Sequence, residues 1–149
     1  MRETITAALK HATKAQDKRR ISTLRLVSAA IKDRDIAART AGKTEATDAE
    51  LLELFAKMIK QREESQKIYA DAGRAELAKQ ESEEIAIIRE FLPKQLSDKE
   101  MEKAIAAAIA ETGAASVKDM GKVMAALKAG YAGQMDFARA SALVKAKLG

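Results

Sequence analysis

The chain has 149 residues, with 27 Lys and Arg against 22 Asp and Glu for a formal net charge of +5, and it contains no cysteine. Disulfides, thiolate metal sites and cysteine nucleophiles are thereby excluded. Hydrophobic residues make up 47% but aromatics only 3%, so a core must be built from Leu, Ile, Val, Met and Ala, which suits helix packing better than a β-sandwich.

Residues 2–15 predict a first helix, with Ile5, Ala8, Leu9 and Ala12 at helical spacing and Lys10 and Lys14 on the polar side. Asp17 is placed to cap a second helix over 18–40, whose apolar side is Ile21, Leu24, Val27, Ser28 and Ile31. Lys18, Arg25, Lys32 and Arg39 recur every seven residues along that helix. Such a line is either a solvated face balanced by Asp33 and Asp35 or an RNA contact, and charge runs on helices are usually solvated.

The polar stretch 40–46 leads into Thr47-Asp-Ala-Glu50, a capping box. The helix after it carries Leu51, Phe55, Met58, Arg62, Ser65 and Tyr69 on one stripe, which loses apolar character after Ile59. The polar run 60–65 therefore needs support from tertiary packing. Gly73 is expected in the left-handed region at this helix's end. A fourth helix is predicted from Arg74 to Leu92, with Leu77, Ile85, Ile88 and Leu92 on its apolar face. Helices of this length with short connections predict long helical hairpins.

Pro93 is the only proline. It disfavours helix in the preceding residue, and Ser97-Asp-Lys-Glu100 forms a second capping box just beyond. This junction divides the chain into an N-terminal domain, 1–93, of about four helices and a C-terminal domain, 94–149, of three. Substituting Pro93 with glycine is expected to loosen the two parts. Residues 1–93 hold 18 Lys and Arg and 16 Asp and Glu, whereas residues 94–149 hold 9 and 6. The smaller part is the more basic per residue, which allows an anionic partner such as RNA.

In that part Met101, Ile105, Ala108 and Ile109 define a helix ending at Thr112-Gly113. Ser116 is placed to cap the next, with Val117, Met120, Val123, Met124 and Leu127 as its apolar face. Gly121 inside this helix costs about 1 kcal/mol relative to alanine, so close packing against another helix is expected there. A glycine loop over 129–135 precedes a last helix, capped by Asp136 and carrying Phe137, Ala140, Ser141, Val144 and Leu148. The fold class is all-α.

No phosphate loop, dinucleotide fingerprint, G-x-S-x-G or H-E-x-x-H is present. His11 is the sole histidine and reads as a surface residue beside Lys10 and Lys14. Glu81, Glu83 and Glu84 are candidate acid–base carboxylates, but at helical spacing they diverge. No metal or cofactor site and no partnered nucleophile emerge. No apolar run approaches a membrane span and the N-terminus has no signal-peptide core, so a cytoplasmic protein without a membrane partner is expected.

Five segments, taken in order, carry a family resemblance: 24–32 (LRLVSAAIK), 59–65 (IKQREES), 72–74 (AGR), 91–97 (FLPKQLS) and 119–124 (DMGKVM). Together they resemble the GatB/YqeY family, closest to its free-standing YqeY-like proteins, over essentially the whole chain. A similar region forms the helical and tail domains of the B subunit of the tRNA-dependent amidotransferase. It follows the catalytic cradle that converts Glu-tRNA(Gln) or Asp-tRNA(Asn) to the amidated form. The resemblance implies a tRNA-recognition module without the cradle's active site, and it is the source of a carbon–nitrogen ligase label with glutamine as amide donor. It also implies tRNA as partner, and with the basic excess of residues 94–149 it points to Lys118, Lys122, Lys128, Arg139 and Lys145 meeting phosphates, with Gly121 and Gly133 allowing close backbone approach. The alternative is a helical adapter docking on an amidotransferase subunit or an aminoacyl-tRNA synthetase.

Overall fold

A computed structural model describes residues 1–149. The chain is all-helical, with α1 (Arg2–Ala15), α2 (Lys18–Thr40), α3 (Asp48–Asp71), α4 (Ala75–Arg89), α5 (Asp98–Thr112), a 3-10 turn (Val117–Asp119), α6 (Met120–Gly130) and α7 (Phe137–Leu148). It divides into two compact units, Met1–Leu92 and Pro93–Gly149.

Local chemistry sets most helix ends. The Asp17 carboxylate accepts the Arg20 amide at 3.2 Å and starts α2. At α3, Thr47 Oγ1 accepts the Glu50 amide at 3.2 Å while Glu50 accepts the Thr47 amide at 3.4 Å. The same reciprocal pair, Ser97 and Glu100, starts α5 at 3.2 and 3.1 Å. Each such cap contributes about 1 kcal/mol by satisfying amides that the helix itself leaves free. Gly73, with φ of 73°, closes α3 in the left-handed region.

Three boundaries differ from those expected. α6 begins at Met120, after a 3-10 turn in place of the helix start expected behind Ser116. α4 stops at Arg89 rather than Leu92. The amides of Phe91 and Leu92 instead bond three residues back, to Ile88 and Arg89, both at 3.1 Å. The chain thus tightens into a short 3-10-like turn before Pro93 forces Leu92 out of the α region. α6 runs on to Gly130, so the glycine loop shrinks to 131–136.

In the first unit Ile5, Val27, Ile31, Leu51, Phe55, Met58, Ile85 and Ile88 form one buried cluster, with Phe91 and Leu92 packed on it. α3 packs chiefly on α4 and α1 on α2. Where the α3 stripe turns polar, Arg62 Nε donates to Glu84 Oε2 at 3.2 Å and Arg62 Nη1 donates to the Met58 carbonyl at 3.2 Å. Gln80 Nε2 takes the other carboxylate oxygen at 3.2 Å. The Arg62 and Glu84 side chains are only 16% and 7% exposed, so this is the tertiary support that the polar run needs.

The second unit has its own core of Met101, Ala104, Ile105, Ala108, Val123, Leu127, Met135, Ala140 and Val144. The Leu96 amide donates to the Gln134 carbonyl at 2.8 Å, and Gln95 Nε2 donates to the Gly133 carbonyl. Residues 95–96 are thereby fastened to the 133–134 turn, and the chain enters α5 from that anchor.

Removing one member of the buried pair strands the other, so Glu84→Ala is expected to cost about 3 kcal/mol. The double variant Arg62→Met with Glu84→Leu should recover most of that loss in urea denaturation. A double variant as unstable as Glu84→Ala would show that packing, not charge pairing, governs this position.

Candidate nucleic-acid interface

The start of α6 is built by a carboxylate reaching back along the chain. Asp119 Oδ2 accepts the Ala115 amide at 2.9 Å and the Ser116 amide at 3.4 Å, closing the 3-10 turn over Val117–Asp119. These amides, Ala115 first, with Lys122 nearby, hold the Asp119 carboxyl below the usual carboxylate range. Lys118, Gly121 and Lys122 sit on and directly after this turn, and all three are exposed.

Gly121 is the second residue of α6, and a Cβ built on it would meet nothing within 4 Å. Close packing against another helix is therefore not its role, contrary to the expectation from its position inside a helix. The inward side of α6 is Val123 and Leu127, both fully buried. Its outward side carries Gly121, Ala125 and Ala129 at successive i, i+4 positions, all exposed. Lys118 and Lys122 flank this stripe on one side and Lys128 on the other. Lys128 lies about 9 Å beyond Lys122 along the helix axis.

α7 adds two more cations at the same end, Lys145 and Lys147. A Cβ on Gly149 would lie 3.7 Å from Val117 Cγ2, so the last turn of α7 abuts the 3-10 turn, and Lys145 is in that last turn. None of the Lys118, Lys122, Lys128 and Lys145 side chains forms a hydrogen bond or ion pair within the chain.

The remaining two positions are occupied internally. Arg139 Nη1 pairs with Asp98 Oδ1 at 2.9 Å, joining the starts of α7 and α5. Gly133 is buried with φ of 73°, a left-handed conformation that itself calls for glycine. Its carbonyl is engaged by Gln95. The seven positions thus separate into Lys118, Gly121, Lys122 and Lys145 at one end, Lys128 at the far end of α6, and Gly133 and Arg139 in structural contacts. Ala125 and Ala129 escaped the sequence reading. The signal for them was the repeat of small residues every four positions between inward-facing Val123 and Leu127.

The acidic candidates lie in the other unit and hold helices together. Glu84 pairs with Arg62, and Glu83 Oε2 accepts from Arg19 Nε at 3.1 Å. Burial, with Glu84 adding to it, pushes the Glu81 carboxyl up. No group of three or more His, Asp or Glu side chains is arranged to hold a metal ion, His11 is exposed, and no helix is long and apolar enough to cross a membrane.

A protein-family model described as "Yqey-like protein" matches residues 2–148. No curated protein matches the chain.

The Asp119 cap makes a pH-dependent contribution. Because its carboxyl is held below its unfolded value of about 3.9, the stabilisation is full above that pH and is lost as pH falls through the folded value. The stability gap between the wild type and Asp119→Asn should accordingly be present at neutral pH and close below about pH 4, as read from urea midpoints across pH. A gap that persists undiminished in acid would rule out the carboxylate cap.

Proposed function

The chain belongs to the YqeY-like protein family, and from that premise we propose that it is an accessory protein that binds the body of tRNA through its C-terminal unit, without an active site of its own. The observation that carries this reading is the open backbone at Gly121. It begins a smooth strip of Gly121, Ala125 and Ala129, bordered by lysines whose side chains form no hydrogen bond or ion pair in the chain. Small side chains let a sugar–phosphate strand approach the helix, while Lys118, Lys122 and Lys145 meet its charge.

The resemblance to the amidotransferase tail domain supports tRNA as the RNA in question. Aromatic residues suitable for base stacking are scarce, since the chain has two Tyr, three Phe and no Trp. Recognition of this kind reads backbone and shape rather than base identity.

Two sets of variants test the proposal in gel-shift titrations with tRNA over a salt series. Lys118→Ala with Lys122→Ala should weaken binding and lower the salt slope by about one per lysine. Arg139→Ala, which removes a cation already paired to Asp98, should change binding much less. Gly121→Ala should stabilise the fold by about 0.5–1 kcal/mol, because the methyl group meets open space in a helix. A bulkier Gly121→Gln should block tRNA while leaving the fold intact. Absence of tRNA binding at low salt, or equal losses from the lysine pair and Arg139, would overturn the reading.

A further inference from the structure

α2 is covered by α1, α3 and α4 on one side only. Thr23, Leu24, Val27, Ile31 and Ala38 turn inward and are buried. The opposite side is open along the whole helix, an arc of roughly 160° by helical geometry. Down its middle run Ala29 and Ile36, with Leu26 beside them, and Leu26 and Ile36 are 47% and 52% exposed. Along one edge run Arg25, Lys32 and Arg39, all exposed, with Lys18 in line above them. Asp33 is the only acid on this face.

Most other arginines of this unit are paired across helices, as in Arg2 with Asp35, Arg19 with Glu83, Arg20 with Glu90, Arg34 with Glu50 and Arg89 with Glu63. The side chains of Lys18, Arg25 and Lys32 form no hydrogen bond or ion pair in the chain, and that of Arg39 donates to the Thr44 carbonyl and lies near Asp35. Beside the basic edge, between α1 and α2, lies a groove of about 210 Å³ lined by Arg2, Ile5, Thr6, Ser28, Ile31, Lys32 and Asp35. Its apolar walls are Ile5 and Ile31, and Lys32 stands at its rim where it meets the open face.

We propose that the outward face of α2 docks an acidic amphipathic helix of a partner protein. Leu26, Ala29 and Ile36 take the apolar seam of that helix, and Arg25, Lys32 and Arg39 take a row of its carboxylates. The occupant follows from the pattern of the face. Cations on one edge with large apolar side chains beside them match a helix that carries both characters at the same spacing. A second copy of this chain would bring a second row of cations to the face and no carboxylate besides its Asp33, so charge disfavours self-association. An RNA strand would satisfy the edge but leave Leu26 and Ile36 without a counterpart.

The full chain can be titrated by fluorescence anisotropy against a labelled acidic amphipathic peptide about 20 residues long, long enough to span the face. It has leucines along one seam and glutamates along one flank. Saturable binding is expected, weakened at least tenfold by Ile36→Asp and likewise by Arg25→Glu with Lys32→Glu. The same peptide with lysines in place of the glutamates should not bind, and Lys118→Ala with Lys122→Ala should have no effect. All these positions are exposed, and unchanged helical circular dichroism would show that each variant folds. No binding, or binding insensitive to Ile36→Asp, would overturn the proposal. So would a short RNA duplex that binds this face more tightly than the peptide does. Because the tRNA reading rests on lysines in the other unit, either proposal can fail while the other stands.

Discussion

The N-terminal unit depends on how α3 and α4 meet beyond Ile59, where the apolar stripe of α3 gives out. Arg62 occupies the next inward position, and α4 answers it with Glu84, held from its other side by Gln80. An arginine on that stripe is tolerable because its fork reaches both a carboxylate and the Met58 carbonyl, leaving little of the buried charge unsatisfied. Glu84 in turn raises the cost of ionising Glu81 nearby. With this clamp the polar half of α3 remains packed against α4, and the apolar cluster around Phe55 and Ile88 continues toward Phe91 and Leu92. Buried ion pairs add less to net stability than to specificity of pairing in some proteins. Here the pair holds α3 to α4 beyond Ile59, where the α3 stripe turns polar.

The C-terminal unit solves a different problem. With some 57 residues between Pro93 and Gly149 it has little core to draw on, and its buried side chains are mostly small: Ala104, Ala108, Ala140, Val123 and Val144. Small side chains allow close helix approach, and local devices supply what the core does not. Ser97 and Glu100 start α5, Asp119 closes the turn before α6, and Asp136 accepts the Ala138 amide at 2.9 Å to start α7. The binding of residues 95–96 to the 133–134 turn joins the first and last thirds of the unit.

These devices also explain what could be read in advance. α1, α2 and α3 begin and end within a residue or so of their expected limits, because Asp17, Thr47 and Gly73 act on their immediate neighbours. The end of α4 is not legible in the sequence, since Phe91 and Leu92 still carry the apolar periodicity of a helix while adopting a tighter turn. Arg62 could be seen to break a stripe, but its partner lies 22 positions away, and no periodicity within one helix points to it. Gly121 misled for a related reason. Its cost inside a helix is visible in the sequence, whereas the empty space beside it is a property of three helices together. The lysines were legible as a charge excess, and their division between free and structural contacts was not. Arg139 differs from Lys145 only through Asp98, a residue on another helix.

The two exposed cationic surfaces differ in a way that bears on what each can hold. Around Gly121 the lysines surround small residues, so attraction there comes almost wholly from charge and should weaken steeply as salt rises. Along α2 the arginines and Lys32 border Leu26 and Ile36, whose burial contributes a term that salt does not screen. Arginine also prefers planar, bidentate contact with carboxylates, whereas lysine acts as a point charge toward phosphate. Arg25 and Arg39 stand on the apolar border of the α2 surface, whereas lysines alone stand around the strip on α6. One chain of modest net charge thereby presents two chemically distinct cationic surfaces, with the expected salt sensitivity as the property that separates them.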